Sequence, residues 1–476
     1  MTSLVVRRTL LALTAAAFVV APAAAYADHV ESDYVASDNV EKVFSDRLPG
    51  DGVGARLVGN YLYVTSTKGL TIYDIKTDPA HPKQVGQATM DVQWENEEVP
   101  TNGKVLGISG TTTCPDPLSM NLFNTTGNGT GAASSGATGC LTLWNVSNPE
   151  NVTRITTVAG AGQHTTACAL DCTWLYGSIG AITDNRDPAH AKVVGDWEKE
   201  PWNKKADGST YLSSCHHLRE ITPGVILGSC QPFILMSIRP EDGGSPLHPV
   251  LLASGSNNDN RFIHSSRWPR QGRDKFVLVG GETNASPTCS DTSGAFMVWD
   301  GSSVTDGKGG FKKGGTFKLI SEVRPTNGTY TDGHSPYNVL GCSVHWFEEH
   351  PSFDNGGLVA LAEYENGTRF EQITPEGKIV ERGYFLPLQG STSAPHWNPY
   401  DPSIVYVLDY ARGLDVLKWK GDTYVPPRQP ATSGSSTKAK PKPKKKPAKK
   451  SKKKSKCTKS KKSKHKTCKT KKSKKH

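Results

Sequence analysis

Beyond its first 27 residues, this 476-residue chain has no run of about 18 uninterrupted apolar residues, the least that a bilayer-spanning helix needs. That excludes a helical membrane span from the mature chain. Between residues 50 and 425 there is also no convincing amphipathic helix, which argues against helical bundles and α/β folds. No nucleophile elbow occurs, and Gly307-Lys-Gly-Gly310 lacks the strand–loop–helix setting that would make it a phosphate loop. Acidic residues are missing from residues 438–476, where 22 lysines crowd together. The whole chain carries 56 basic and 45 acidic side chains; without the tail it carries 34 and 45, a formal net charge of −11. The basic character belongs to the tail, so it does not mark the body as a nucleic-acid-binding domain.

The two ends read as separate segments. Residues 1–27 have the form of a secretory signal peptide: Arg7 and Arg8, an apolar stretch from Leu10 to Ala21, then Ala25-Tyr26-Ala27 as the cleavage site. Residues 426–437 form a Pro- and Ser-rich linker, and residues 438–476 a lysine-rich tail expected to be disordered. Outside a membrane, the tail's expected partners are polyanions: acidic cell-envelope polymers, anionic lipid headgroups or extracellular DNA. The expected location is secreted, extracellular or bound to the cell surface. Eight cysteines of the body fit that compartment as disulfide candidates: Cys114, Cys140, Cys168, Cys172, Cys215, Cys230, Cys289 and Cys342. Spacing does not decide connectivity; nearest-neighbour pairing is the simplest arrangement. A zinc site at Cys168 and Cys172 is the weaker alternative, because such sites usually pair two elements of this kind.

What the body does contain is repetition. Short β-branched or aromatic runs alternate with Gly- and Pro-rich turns, as in Tyr61-Leu-Tyr-Val-Thr65 and Ile404-Val-Tyr-Val-Leu408. The phrase Asp78-Pro-Ala-His81 returns as Asp187-Pro-Ala-His190, and seven strand–turn–strand units can be traced. Seven units over about 370 residues give roughly 53 residues each, the repeat length of four-stranded propeller blades. The expected fold of residues 28–425 is an all-β propeller of seven blades, with residues 28–51 supplying a strand that closes the ring. A β-sandwich array is the competing fold, but it predicts no shared closing phrase. The unit Leu70-Thr-Ile-Tyr-Asp-Ile-Lys-Thr-Asp-Pro-Ala-His-Pro82 resembles the LVIVD repeat of bacterial propeller proteins. That resemblance implies an exported or surface-associated propeller and says little about chemistry. A looser likeness is to the selenium-binding protein and methanethiol oxidase propellers, with no functional residue carried over.

Histidines recur ahead of the strand runs: His164, His216-His217, His264, His345 and His396, the last two each followed by Trp. In the second unit Glu97 and Glu98 take that place, and in the first only Arg56 is near. Equivalent positions on the inner strands of a propeller converge on its central channel. The candidate ligand set is therefore Glu97, His164, His217, His264, His345 and His396, suited to copper, iron or zinc. Two functions are then open: a propeller binding a protein or other ligand through its blade loops or channel mouth, and a metal-dependent enzyme. The alternative for the histidines themselves is structural, with each ring hydrogen-bonding the backbone of the neighbouring blade.

Overall fold

The computed structural model describes residues 28–423 apart from 32, 91, 93–96, 111–138, 213–214, 256–261, 283–288, 290–292 and 326–340. The signal segment, linker, tail and Cys114 lie outside the described residues.

The middle strands of the first blade, Tyr61–Ser66 and Gly69–Asp74, are almost wholly buried, whereas its outer strand Lys83–Thr89 is largely exposed. Such runs must be covered on both faces, and one blade cannot do that alone. The chain therefore repeats the sheet around a ring. Blade 1 is Gly52–Val58, Tyr61–Ser66, Gly69–Asp74 and Lys83–Thr89. Blade 2 is Val105–Gly110, Gly139–Asn145 and Thr153–Gly162, with residues 97–101 as an irregular inner segment bridged from Thr101 to Leu106. Blade 3 opens with Thr166–Ala169, blade 4 with Cys215–Thr222 and blade 5 with Ile263–Arg267. Blade 6 opens with Phe347–Glu349 and blade 7 with Thr392–Trp397. Blades 4 and 5 merge into one eight-stranded sheet, because their outer strands Val250–Gly255 and Gly315–Val323 pair in parallel.

Seven apolar clusters fill the seven interfaces between neighbouring blades, including the one between blades 7 and 1, so the ring is closed. Closure is made by the N-terminal segment, as expected from the sequence. The strand Val40–Asp46 pairs with Gly413–Trp419 as the outermost strand of blade 7. Gly413 is required there: its φ is +95°, and a Cβ would meet the carbonyl oxygen of Asp46 at 2.5 Å. Ahead of this strand, Tyr34–Ser37 extends the outer edge of blade 6 by pairing with Ile379–Pro387.

The repeated closing phrase also has a local cause. Asp78 Oδ1 accepts from the backbone N–H groups of Ala80 and His81, and Asp187 Oδ1 accepts from that of Ala189. Each aspartate thus caps the proline turn that leads into the outer strand of its blade. Three disulfides follow nearest-neighbour pairing: Cys168–Cys172, Cys215–Cys230 and Cys289–Cys342. Cys140 is disulfide-bonded as well. Among the described residues, no helix is long and apolar enough to cross a membrane.

Candidate metal centre

Side chains normally alternate between the faces of a strand, so residues three apart point in opposite directions. The inner strands of this propeller break that rule at one place. The register against the second strand shifts between Gly52 and Ala55 in blade 1, and between Cys215 and His217 in blade 4. It shifts again between Ile263 and Ser265 in blade 5, and between Thr392 and Ala394 in blade 7. In blade 6 the single residue Ala362 bonds both His345 and Trp346. Each shift is a β-bulge that takes up one residue. Residues before and after it, three apart, then face the same channel: His216 and Arg219, His264 and Arg267, His345 and Glu348, Ser393 and His396. Blade 3 has no such shift, and there Ala167, three residues after His164, packs in the apolar core instead. The result is two stacked layers of channel side chains, roughly 7 Å apart by strand rise.

The upper layer is built on Glu97 from blade 2. Its Oε1 lies 3.0 Å from His345 Nε2 of blade 6 and accepts from the hydroxyl of Tyr410 of blade 7 at 3.2 Å. Its Oε2 accepts from Trp346 Nε1 at 2.9 Å and lies 3.3 Å from His264 Nε2 of blade 5. His264 Nε2 is also 3.9 Å from Glu282 Oε2, and Glu282 accepts from the Tyr364 hydroxyl. The ring of His216 lies 3.8 Å from that of His264, centroid to centroid, and its Nε2 contacts Nε2 of His164. Donor atoms of Glu97, His264 and His345, of Glu97, His164 and His216, and of His216, His264 and Glu282 each fall within 4.8 Å of one another. Apart from the rim residues His164 and Glu282, these ligand candidates are buried.

The hydrogen bonds fix how two of the rings are oriented. His216 Nδ1 lies 3.0 Å from the carbonyl oxygen of His264, and His345 Nδ1 lies 2.8 Å from that of Ser393. A carbonyl oxygen only accepts, so each Nδ1 carries a proton, and the Nε2 atoms point inward, that of His216 to His164 and that of His345 to Glu97. Neither ring nitrogen of buried His264 makes a hydrogen bond. Burial, followed by the neighbouring His264 and His164, holds the pKa of His216 well below the ordinary imidazole value. Burial and the nearby His345 likewise lower His264. Burial would also lower His345, but the charge of Glu97 outweighs it and raises that ring. Burial would raise Glu97, yet His345 and His264 hold its carboxyl well below the usual range. Among the described residues, no lysine or arginine forms an ion pair with Glu97 or Glu282.

The lower layer is different in kind. Glu98 pairs with Arg56 of blade 1 and, at 3.1 Å, with Arg219 of blade 4 across the channel; His217 Nε2 is 3.3 Å away. Arg267 pairs with Glu348 and Glu349, and His396 Nδ1 lies 2.7 Å from Glu348 Oε2. Three arginines face three glutamates, so this layer balances its own charge.

Of the six residues expected to converge, Glu97, His164, His264 and His345 do so. His217 and His396 do not: both sit in the arginine–glutamate layer. Adjacent residues across a bulge go to different layers, which is why His216 rather than His217 joins the cluster. The His-Trp dipeptides at 345 and 396 look equivalent in sequence but occupy different registers, with Ser393 holding the position that matches His345. Glu282, Tyr364 and Tyr410 were not anticipated in the site. For the two tyrosines the signal was the likeness of Tyr364-Glu-Asn-Gly367 to Tyr410-Ala-Arg-Gly413, two turns between the second and third strands of adjacent blades; Glu282 follows the strand Phe276–Gly281 of blade 5 and had no such signal.

Comparison with known proteins agrees with the first blade. Residues 49–89 match the LVIVD repeat. That stretch coincides with blade 1, so here one LVIVD repeat corresponds to one four-stranded blade. No curated protein matches the chain. Among solved structures, the β-propeller domain of Myceliophteria thermophila Cps50 (Swd1) is similar at 10% identity and a TM-score of 0.49, covering 80% of this chain and 99% of that one. A protein from Lactobacillus plantarum is similar at 8% identity and a TM-score of 0.46, covering 75% and 87%. A Bacteroides fragilis protein described as a putative 6-phosphogluconolactonase has 12% identity and a TM-score of 0.43, covering 78% and 94%.

Proposed function

We propose that this protein is an exported metal-binding propeller that holds one divalent transition-metal ion in the upper layer of its channel. Glu97, His164, His216, His264 and His345 are its ligands, with Glu282 beside them. The observation that carries this reading is the tautomer of His216 and His345. Each has its Nδ1 proton committed to a backbone carbonyl, which orients each Nε2 toward the other donors. Metal-binding histidines are oriented in this way by their outer hydrogen bond. Charge supports the same conclusion: among the described residues the two carboxylates meet no arginine or lysine, and one divalent ion would neutralise them. Imidazole and carboxylate donors without thiolate suit copper, iron or zinc. Such an ion supplies Lewis-acid or redox chemistry, and the protein's part is to orient the donors and exclude water.

Metal analysis of the mature chain, purified without an affinity tag, tests this reading. About one ion per chain is expected, as purified or after reconstitution. No stoichiometric metal under either condition would falsify it. The lysine tail belongs to the same proposal as an envelope tether, since its 22 lysines with no acidic residue among them would bind anionic envelope polymers. A chain ending at Thr437 is expected to leave cells at lower salt than the full mature chain; equal retention would rule out tethering by the tail.

A further inference from the structure

The carboxylates of the two channel layers are held by different kinds of donor. In the lower layer Glu98 and Glu348 are held by Arg56, Arg219 and Arg267, and each pairing cancels charge. In the upper layer the Tyr410 hydroxyl donates to Glu97 Oε1 at 3.2 Å, and the Tyr364 hydroxyl donates to Glu282 Oε1. A phenol is a neutral donor, so it fixes a carboxylate without neutralising it. Both upper carboxylates therefore keep their charge for a cation.

Tyr364 is also held in a costly conformation. Its φ is +50°, in the left-handed region that residues with a side chain avoid. The turn keeps it there: its carbonyl oxygen accepts from the backbone N–H groups of Gly367 and of Thr392, the latter in the first strand of blade 7. Backbone strain of this kind gathers at functional sites. The buried ring lies 4.6 Å from that of His345, centroid to centroid, and its hydroxyl reaches Glu282 in blade 5. With Oε1 engaged by that hydroxyl, Glu282 Oε2 stands 3.9 Å from His264 Nε2. Two ligands each about 2 Å from one ion stand no more than about 4 Å apart. Glu282 and His264 are within reach of the same ion.

We propose that Glu282 is a sixth ligand of the ion and that Tyr364 is its positioning residue, as Tyr410 is for Glu97. Outer hydrogen bonds orient metal ligands and tune their affinity; here the donors are phenols, which leave the carboxylate charge to the ion. The proposal rests on the metal reading above and deepens it.

Cu(II) is the probe, added to the full mature chain, with affinity read by isothermal titration and coordination by EPR. Tyr364→Phe keeps the ring against His345 and removes only the hydroxyl. It is expected to weaken copper binding about tenfold and to shift the copper hyperfine splitting. Glu282→Ala is expected to weaken binding at least as much. In the Glu282→Ala background Tyr364→Phe should have no further effect, because its target is gone, whereas Tyr410→Phe should still weaken binding through Glu97. If Tyr364→Phe does not fold, Glu282→Ala and Tyr410→Phe carry the test. Unchanged affinity and spectrum in folded Glu282→Ala overturn Glu282 as a ligand. An equal loss from Tyr364→Phe with and without Glu282→Ala overturns its action through that carboxylate. An unsubstituted chain that binds no copper is instead the failure of the metal reading.

Discussion

His264 and Arg267 stand three residues apart on one inner strand, yet both enter the channel, because the bulge at His264 takes up the odd residue. His264 thereby reaches Glu97 while Arg267 pairs with Glu348 and Glu349 one layer below. The same offset in blades 4, 6 and 7 sorts the channel into an imidazole–carboxylate layer and an arginine–glutamate layer. One can hold a cation; the other has already balanced its charge.

The two neighbouring histidines of blade 4 should therefore behave differently. His216→Gln is expected to lower copper or zinc affinity at least tenfold. His217→Gln and His396→Gln should stay within about threefold of the unsubstituted protein. Isothermal titration of the three variants checks this, with circular dichroism confirming that each is folded.

The lower layer makes stability fall in acid. Burial would raise the pKa of Glu348, but Arg267 and then His396 pull it down to about 2. A carboxyl that ionises more readily when folded stabilises above its unfolded pKa of 4.5 and loses that contribution as the pH falls toward 2. The full effect is about 3 kcal/mol. Glu348→Gln should be less stable than the unsubstituted protein at pH 7, with the difference shrinking below pH 4. Urea midpoints measured across that range give the test.

Glu363 in blade 6 has the opposite sign. Burial dominates over Arg369 and Asn366 and raises its pKa to about 7. The folded state then holds a proton that the unfolded state has lost, so this group's contribution is complete below pH 4.5 and disappears as the pH rises through 7. Glu363→Gln, which resembles the protonated form, should gain stability relative to the unsubstituted protein at pH 8 and little at pH 4.5. The expected change between the two conditions is about 3 kcal/mol, read from denaturant midpoints.

The Cys215–Cys230 disulfide staples the strand that carries His216, joining residues directly opposite across two strands. Their sequence separation is 15, and a closed loop of that size stabilises by about 3 kcal/mol through the unfolded chain. The double substitution Cys215→Ser and Cys230→Ser should lose about that much, and metal affinity should weaken with it. Thermal unfolding and metal titration of the same sample separate the two effects.

Much of the fold was legible because the signals are local. Period-2 strands, Gly and Pro punctuation, and an aspartate capping each Pro-Ala-His turn are written in consecutive residues. Repetition then implies a ring, since one blade cannot cover both faces. Glu97, His164, His264 and His345 were legible in the site because equivalent positions of a propeller converge.

The layers could not be read in the same way. Whether His216 or His217 enters the ligand cluster depends on one extra residue in a strand pairing, and nothing in the His-His dipeptide encodes it. His396 shares the dipeptide of His345 but lies three residues past the matching position. Glu282 and the two tyrosines reach the site from turns whose place is set by the neighbouring blades. By itself, the sequence determined the repeat, the blade count and the chemistry available at the channel. Only the tertiary structure decided which side chains share a layer, because strand register is settled by packing between blades and one bulge redirects every residue that follows.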